Sequence, residues 1–139
     1  MSAQVTAHLA LAREMLDDAR DAAGRNRLRT AADRSYYAML HAASALLVTD
    51  GIQARSHRRL LAAFGERFAK PRRLDPVHHR RLMDAFERRS LADYDPVAEF
   101  DLDDIMSAIV AAEAFIQAAA DFIETAGIDE TPTPGLRSP

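Results

Sequence analysis

The chain has 139 residues, of which 48% are apolar and 28% charged, and it carries a net charge of −3 with no Cys. This length is typical of one domain with a single core, and the lack of Cys excludes disulfides, thiolate chemistry and a Cys-ligated zinc site. No apolar run approaches the ~20 residues that span a bilayer, and the N-terminus does not resemble a signal peptide. We therefore expect a cytoplasmic protein with no membrane partner.

Apolar residues recur at helical spacing, and Gly and Pro fall mainly between the repeating segments, which predicts an all-α chain. Short connections favour an up-and-down bundle of four to five helices. We expect this bundle over residues 1–127, followed over residues 128–139 by a disordered tail that contains three Pro. The predicted helices cover residues 3–22, 27–49, 57–69, 76–91 and 101–126.

The charges divide the chain into three blocks. Residues 1–50 hold six Arg and six acids, residues 51–90 hold eleven Lys and Arg against four acids, and residues 91–139 hold one Arg against eleven acids. The basic middle block indicates either a surface that faces an anion or a segment that packs beside the acidic C-terminal helix. Both alternatives remain open at this point.

The second predicted helix has two faces that are both atypical of a surface. One face is broad and apolar, and the other carries Arg34, Tyr37 and His41 about one and two turns apart. An ordinary surface helix would carry Lys, Glu or Asp there. We interpret this second face as a seam between helices, a subunit interface or a functional site.

An Arg and a His are the residue types that metal-free RNA cleavage requires, since a base takes the proton of the 2′-OH and a cation stabilises the phosphorane. Arg34 and His41 are about 10.5 Å apart along a helix axis, so together they could hold a phosphate and act on a neighbouring hydroxyl. In the alternative interpretation, Tyr37 and His41 are packing residues with hydrogen bonds and Arg34 pairs with an acid such as Asp33.

A second candidate group lies at the end of the fourth helix, where Arg88 and Arg89 precede Asp93 and Tyr94. Two arginines and a Tyr could bind a phosphate and stack on a base. Alternatively, the arginines could interact favourably with the helix dipole and stabilise the bend that follows. The catalytic candidates are Arg34 and His41. The predicted nucleotide or RNA contacts are Arg34, Tyr37, His41, Arg88, Arg89 and Tyr94.

A third basic group contains His78 and His79, with Arg72 and Arg73 upstream and Arg80 and Arg81 downstream. Adjacent residues on a helix point about 100° apart, so the two imidazoles are poor joint metal ligands. We expect a solvated basic face here, with no metal site and no cofactor.

Three segments together resemble the HEPN-domain family: Arg34-Ser-Tyr-Tyr-Ala-Met-Leu-His41, Ser56-His57 and Arg89-Ser-Leu-Ala-Asp93-Tyr94-Asp95. The similarity extends from about residue 5 to residue 125 and is greatest to small stand-alone bacterial and archaeal members. The resemblance implies a bundle of four to five helices, a homodimer, and a toxin–antitoxin-like system with a nucleotidyltransferase partner. It also implies that many members are metal-independent endoribonucleases, with an Arg and a His separated by a few residues near the dimer seam.

The chain departs from that catalytic motif at one position. Asp93 stands where a His would follow Arg88, and a carboxylate of ordinary pKa does not donate protons near neutral pH. We therefore predict a dimeric protein that binds nucleotide or RNA. The alternatives are a metal-independent endoribonuclease toxin, with His41 as base and Arg34 or Arg89 as phosphate clamp, and a purely structural dimerisation module.

Overall fold

The computed structural model describes residues 2–129, and within them every regular element is helical. This confirms the predicted all-α bundle. The elements are α1 (Ala3–Gly24), α2 (Leu28–Thr49), α3 (His57–Phe64), a π-helical turn (Gly65–Ala69), α4 (Val77–Tyr94) and α5 (Leu102–Asp129).

The first two helices form an antiparallel hairpin. Ser2 begins α1 by accepting a 3.1 Å hydrogen bond from the backbone N–H of Val5, as an N-cap does. The turn between the helices closes where the N–H of Arg27 donates to the carbonyl of Ala22 at 2.8 Å. Fully buried alanines on both helices, such as Ala12 and Ala38, allow the two backbones to pack closely.

Helix α2 is the central helix, because it packs against α1, α3, α4 and α5. Tyr36, Met39 and Leu46 on it are almost completely buried. The face that carries Arg34 and His41 is only partly buried, so it lies at the edge of the core.

Helix α5 supplies the other large part of the core. Ile105, Ile109 and Phe115 are buried, in a helix that packs against α1 and α2. By length and composition alone, Leu102–Ala126 could cross a membrane, with a mean hydropathy of 1.5. A buried core helix has the same composition, and this segment contains acids such as Glu113 and Asp121, so it is not the uninterrupted apolar run that the sequence analysis excluded.

The last helix is slightly longer than predicted. It extends beyond the predicted end at residue 126 as far as Asp129. The remainder of the predicted disordered tail, residues 130–139, lies outside the described residues.

The connection between α4 and α5 is held by Arg29 on α2. Its guanidinium donates to the carbonyl of Ala92 at 2.6 Å and to that of Ala98 at 2.7 Å, and it lies 5.5 Å from the ring centre of Phe100. These contacts of Arg29 fix the end of α4, and they thereby fix the position of Asp93.

A second tie joins the end of α2 to the loop before α4. The guanidinium of Arg73 donates to both carboxylate oxygens of Asp50, at 2.7 and 3.0 Å, and lies over the ring of Phe68, 4.3 Å from its centre. Arg73 is thus exposed, as the predicted basic face requires, but its guanidinium is paired with Asp50.

The two adjacent histidines of α4 are also packed. The ring of His78 stacks on Phe115 with centres 5.4 Å apart, and Nε2 of His79 lies 3.2 Å from the carbonyl oxygen of Leu61. A Cβ added at Gly65 would lie 2.7 Å from Nε2 of His79, so any larger residue there requires the His79 ring to shift. The exposed part of this basic group consists of four arginines, of which Arg73 is paired with Asp50: Arg72, Arg73, Arg80 and Arg81.

Candidate functional site

Arg89 on α4 is the centre of the candidate site. Its guanidinium carbon lies 5.5 Å from the ring centre of Tyr37 and 5.9 Å from that of Tyr36. Nη2 donates a 3.2 Å hydrogen bond to Oη of Tyr37. The side chain is 21% exposed, so the guanidinium is held against α2 and still reaches the surface.

Two carboxylates hold the same guanidinium from one side. Its Nε is buried and lies 2.9 Å from Oδ2 of Asp93 and 3.5 Å from Oδ1 of Asp33. Although burial alone would lower the pKa of Arg89, the neighbouring Tyr37, Asp93 and Asp33 raise it above its ordinary value. Within the described part of the chain, the polar contacts of Arg89 involve Nε and Nη2. Nη1 is therefore the nitrogen best placed to bind another group.

His57, the first residue of α3, lies beside this arginine. Its ring centre is 5.6 Å from that of Tyr36 and 5.7 Å from that of Tyr37. Ser56 fixes the start of α3 because its Oγ accepts a hydrogen bond from the N–H of Arg59 at 3.2 Å. Burial, and then the charge of Arg89, lower the pKa of His57 below its ordinary value of 6.5, so the ring is predominantly neutral at pH 7.

Tyr36 packs beneath the other rings. It is fully buried, and within residues 2–129 its Oη has no hydrogen-bond partner. Burial raises the pKa of this hydroxyl above its ordinary value of 10.0. A buried hydroxyl without a partner costs roughly 1–3 kcal/mol. We name this group the junction cluster: Asp33, Tyr36, Tyr37, His57, Arg89 and Asp93.

Of the residues predicted from sequence, Tyr37 and Arg89 are brought together in this cluster, and Arg34 lies at its edge. Arg34 has its Nε 4.0 Å from the carboxylate of Asp33, as one predicted alternative proposed, and its Nη1 donates to Sδ of Met15 at 3.2 Å. Asp33 thus lies between two arginines.

His41 lies outside the junction cluster. Its Nδ1 is 3.1 Å from Nδ1 of His8 on α1, and burial together with the charge of His8 lowers the pKa of His41. The structure therefore does not bring His41 and Arg34 to a common group, which is the pairing that their spacing had suggested.

Arg88 and Tyr94 point away from Arg89. Arg88 lines an open groove between α4 and α5, together with Arg81 and Met106, and the side chain of Tyr94 is 81% exposed. The single phosphate-binding site that adjacency in sequence suggested is therefore not formed by Arg88, Arg89 and Tyr94.

His57 is the residue that sequence reasoning omitted from the site. Its only signal in the sequence was the Ser56-His57 pair within the segments that resemble a known family. Helix periodicity could not reveal it, because its partners lie on two other helices. Among the described residues, no group of three His, Asp or Glu side chains is placed to hold a metal ion.

Positive charge surrounds the position of His57. Arg55, Arg58 and Arg59 are exposed at the start of α3, where cations are disfavoured by the helix dipole. In the part of the chain that the structure describes, no salt bridge joins residues 51–90 to an acid of α5. This result favours the anion-facing interpretation of the basic block over internal neutralisation.

Comparison with known families identifies the class of protein to which this helical bundle belongs. The HEPN domain model matches residues 5–123, so the chain belongs to the HEPN family, as the sequence segments indicated. A "UPF0332 protein" of Thermotoga maritima is 35% identical over 113 residues, which are 81% of this chain and 86% of that protein.

Two further relatives extend the comparison. A "UPF0332 protein" of Gloeobacter violaceus is 34% identical over 91 residues, 65% of this chain and 72% of that protein. A protein of Methanocaldococcus jannaschii with the name "Putative toxin" is 35% identical over 69 residues, 50% of this chain and 47% of that protein.

Proposed function

We propose that this HEPN protein is toxin-like and binds RNA or nucleotide phosphate at the junction cluster. The observation that carries the proposal is the orientation of Arg89, whose Nε faces two carboxylates while its outer edge reaches the surface. A guanidinium fixed in this way is suited to a phosphate oxygen. The ring of Tyr37 beside it offers a face on which a base can stack.

The two carboxylates require that phosphate approach from one side only. Asp33 and Asp93 lie at the Nε edge of Arg89, so an anion must bind at the Nη1 edge. The charges of Arg34 and Arg89 balance those of the two aspartates. The excess of positive charge comes from the exposed arginines at the start of α3, which would attract a phosphate backbone and make binding sensitive to salt.

The toxin-like role is supported by family membership and by the name of the relative from Methanocaldococcus jannaschii. On the same family basis we propose that the protein works in the cytoplasm with a nucleotidyltransferase partner, in a toxin–antitoxin-like system. Co-purification of a nucleotidyltransferase with the tagged protein from its native host would support this partner, and a native complex without one would contradict it.

We also propose a homodimer that forms through the groove between α4 and α5. Met106 and Val110 on α5 are 44% and 62% exposed, and the groove also contains Arg88 and Asp103. Exposed apolar residues flanked by opposite charges suit a second copy of the same surface.

The dimer is tested by Val110→Glu, which should give folded monomers in sedimentation velocity. Val97→Glu is the matched control, because Val97 is 81% exposed and does not line the groove. Dimers that persist in Val110→Glu would exclude this interface, and a monomeric parent protein would exclude the dimer.

RNA binding is tested by the anisotropy of a labelled single-stranded RNA at low salt. The parent protein should bind with an affinity that falls steeply as salt is raised, and Arg89→Ala should weaken it by about tenfold or more. Arg80→Ala is the matched control, since Arg80 is an exposed arginine of the same helix outside the cluster. Arg89→Lys, which keeps the charge but not the fork of donors, should bind with intermediate affinity.

Circular dichroism spectra must first establish that each variant is folded. A folded Arg89→Ala protein that binds RNA as tightly as the parent would overturn the proposal. If no RNA or nucleotide binds while the dimer persists, the purely structural alternative is the correct one. Growth arrest on expression, relieved by Arg89→Ala, would support the toxin-like role.

A further inference from the structure

We propose that His8 and His41 form a binding site for a borderline divalent metal ion, of the class of Zn²⁺ and Ni²⁺, between α1 and α2. His8 lies on α1 and His41 on α2, 33 residues apart in sequence. Imidazole nitrogens are preferred ligands of such ions. The site is separate from the junction cluster, so the inference goes beyond the function proposed above and does not depend on RNA binding.

The two imidazoles direct the same ring nitrogen into one space. Nδ1 of His8 lies 3.1 Å from Nδ1 of His41, and the ring centres are 5.3 Å apart. Two nitrogens that bind Zn²⁺ at about 2.0–2.1 Å are about 2.9 Å apart at a right angle and about 3.3 Å apart at a tetrahedral angle. The observed separation lies within that range, so both rings can bind one ion once each turns towards it.

Both rings can offer a lone pair to a metal ion at neutral pH. Burial lowers the pKa of His8, and burial together with the charge of His8 lowers the pKa of His41, so both rings are predominantly neutral at pH 7. Without a metal ion, one Nδ1 carries the proton that makes their contact a hydrogen bond. When an ion binds, this proton moves to Nε2 of the same ring, and both Nδ1 lone pairs bind the ion.

The chain supplies two ligands, and water would complete the coordination of the ion. Among the described residues, no third His, Asp or Glu is placed to join the pair. His8 borders a cavity of about 230 Å³ that also contains Gln4, Ser44 and Gln53. These amide and hydroxyl groups can form hydrogen bonds with waters on the ion. Both histidines are only partly buried, so an ion can reach them from solvent.

This pair differs from the adjacent histidines of α4, for which the sequence predicted no metal site. The rings of His78 and His79 pack against different helices, and they do not share a space. His8 and His41 come from two helices of one hairpin, so their spacing along the chain could not reveal a common site.

An ion bound here would join the first half of α1 to the middle of α2. The two nitrogens are close together only in the folded hairpin, so the ion should stabilise the fold by mass action. Because the chain provides only two ligands, we expect weaker binding than at a structural zinc site with four protein ligands.

The site is tested by calorimetric titration of the full chain with ZnCl₂ in a buffer that does not bind metal. The parent protein should bind one Zn²⁺. His8→Gln and His41→Gln should each weaken binding by about tenfold or more, because even the loss of a residue that only supports a ligand costs that much. His78→Gln is the matched control, since it removes a partly buried histidine outside the site, and it should bind as the parent does.

Thermal unfolding and NMR distinguish metal ligation from a merely structural role of the two histidines. Zn²⁺ should raise the Tm of the parent and of His78→Gln, and it should leave the Tm of His8→Gln and His41→Gln unchanged. In nitrogen NMR spectra of the parent, Zn²⁺ should shift the Nδ1 signals of His8 and His41 more than their Nε2 signals. Circular dichroism spectra must first establish that each variant is folded.

Three outcomes would overturn the inference. The first is a parent protein that binds neither Zn²⁺ nor Ni²⁺, in which case the contact between the rings is a hydrogen bond alone. The second is parental affinity in both His8→Gln and His41→Gln. The third is loss of binding in His78→Gln together with its retention in His41→Gln, which would place the ion on α4. RNA affinity is measured separately, so this inference and the proposed function can fail independently.

Discussion

Two regions of this bundle contain the same residue types and use them differently. The junction cluster places Arg89 and His57 on tyrosine rings, with Asp93 and Asp33 beside the arginine. A second region, which we name the packed corner, contains Asp50, Gly65, Phe68, Arg73 and His79. It also combines an arginine, a histidine, an aspartate and an aromatic ring.

The difference lies in which hydrogen-bonding groups remain to bind a ligand. In the packed corner, both Nη atoms of Arg73 donate to Asp50, Nη1 also donates to the carbonyl of Arg67 at 3.2 Å, and the ring beneath it is Phe68, which has no hydroxyl. In the junction cluster, Arg89 makes one hydrogen bond through Nη2 and ion pairs through Nε. The comparison teaches that an arginine with both Nη atoms paired serves the fold, whereas one with fewer hydrogen bonds is the better candidate for a ligand site.

The packed corner should be most sensitive to added volume at Gly65. Gly65→Ala should destabilise the protein by about 1–3 kcal/mol, because its Cβ would lie 2.7 Å from Nε2 of His79. Urea unfolding measures the loss. Gly24→Ala is the matched control, since no atom lies within 4 Å of a Cβ built there. If both variants unfold with the same free energy as the parent, the His79 ring can move aside at no cost. The packed corner would then not be tightly packed at Gly65.

Removal of Arg73 should have the next largest effect on stability. Arg73→Ala should cost roughly 1–2 kcal/mol, because it deletes hydrogen bonds between charged groups at a partly exposed position. Arg72→Ala, an exposed neighbour, should change the free energy of unfolding by less than about 0.5 kcal/mol. If Arg73→Ala and Arg72→Ala lower the free energy of unfolding equally, the contact between Arg73 and Asp50 does not stabilise the fold.

Acid should destabilise the bundle moderately. Burial lowers the pKa of His57 and of His78 below 6.5 in the folded protein, so the unfolded chain binds more protons as the pH falls through this value. Stability is therefore fully present above about pH 6.5 and declines at lower pH. The urea midpoint should be lower at about pH 5.5 than at about pH 7.5, and His78→Gln should reduce that difference. A midpoint that rises on acidification would contradict the sign of these shifts.

Sequence patterns predicted the fold well because the helices follow from local rules. Apolar periodicity, the Ser56 cap and the Pro and Gly breaks located all five helices, and the stretch from Arg34 to His41 fell on the central helix α2. The π-helical turn at Gly65–Ala69 was not predicted, since the sequence pattern continues the α3 helix through these residues.

The site was predicted only in part, because its contacts join three helices. Tyr37 and Arg89 were found from their residue types, and they do meet. His57 was missed and His41 was preferred, because spacing along one helix cannot report a neighbour from α3. The pairing of Arg73 with Asp50 was missed for the same reason, since Asp50 lies 23 residues away in sequence.

The central claim is that Arg89 binds phosphate whereas Arg73 only holds the fold. It is tested most directly by the RNA affinities of Arg89→Ala and Arg73→Ala, measured side by side at low salt under conditions in which both variants are folded. We predict a loss of about tenfold or more for Arg89→Ala and a change of no more than about twofold for Arg73→Ala. Equal losses in both variants, or no loss in either, would contradict the account.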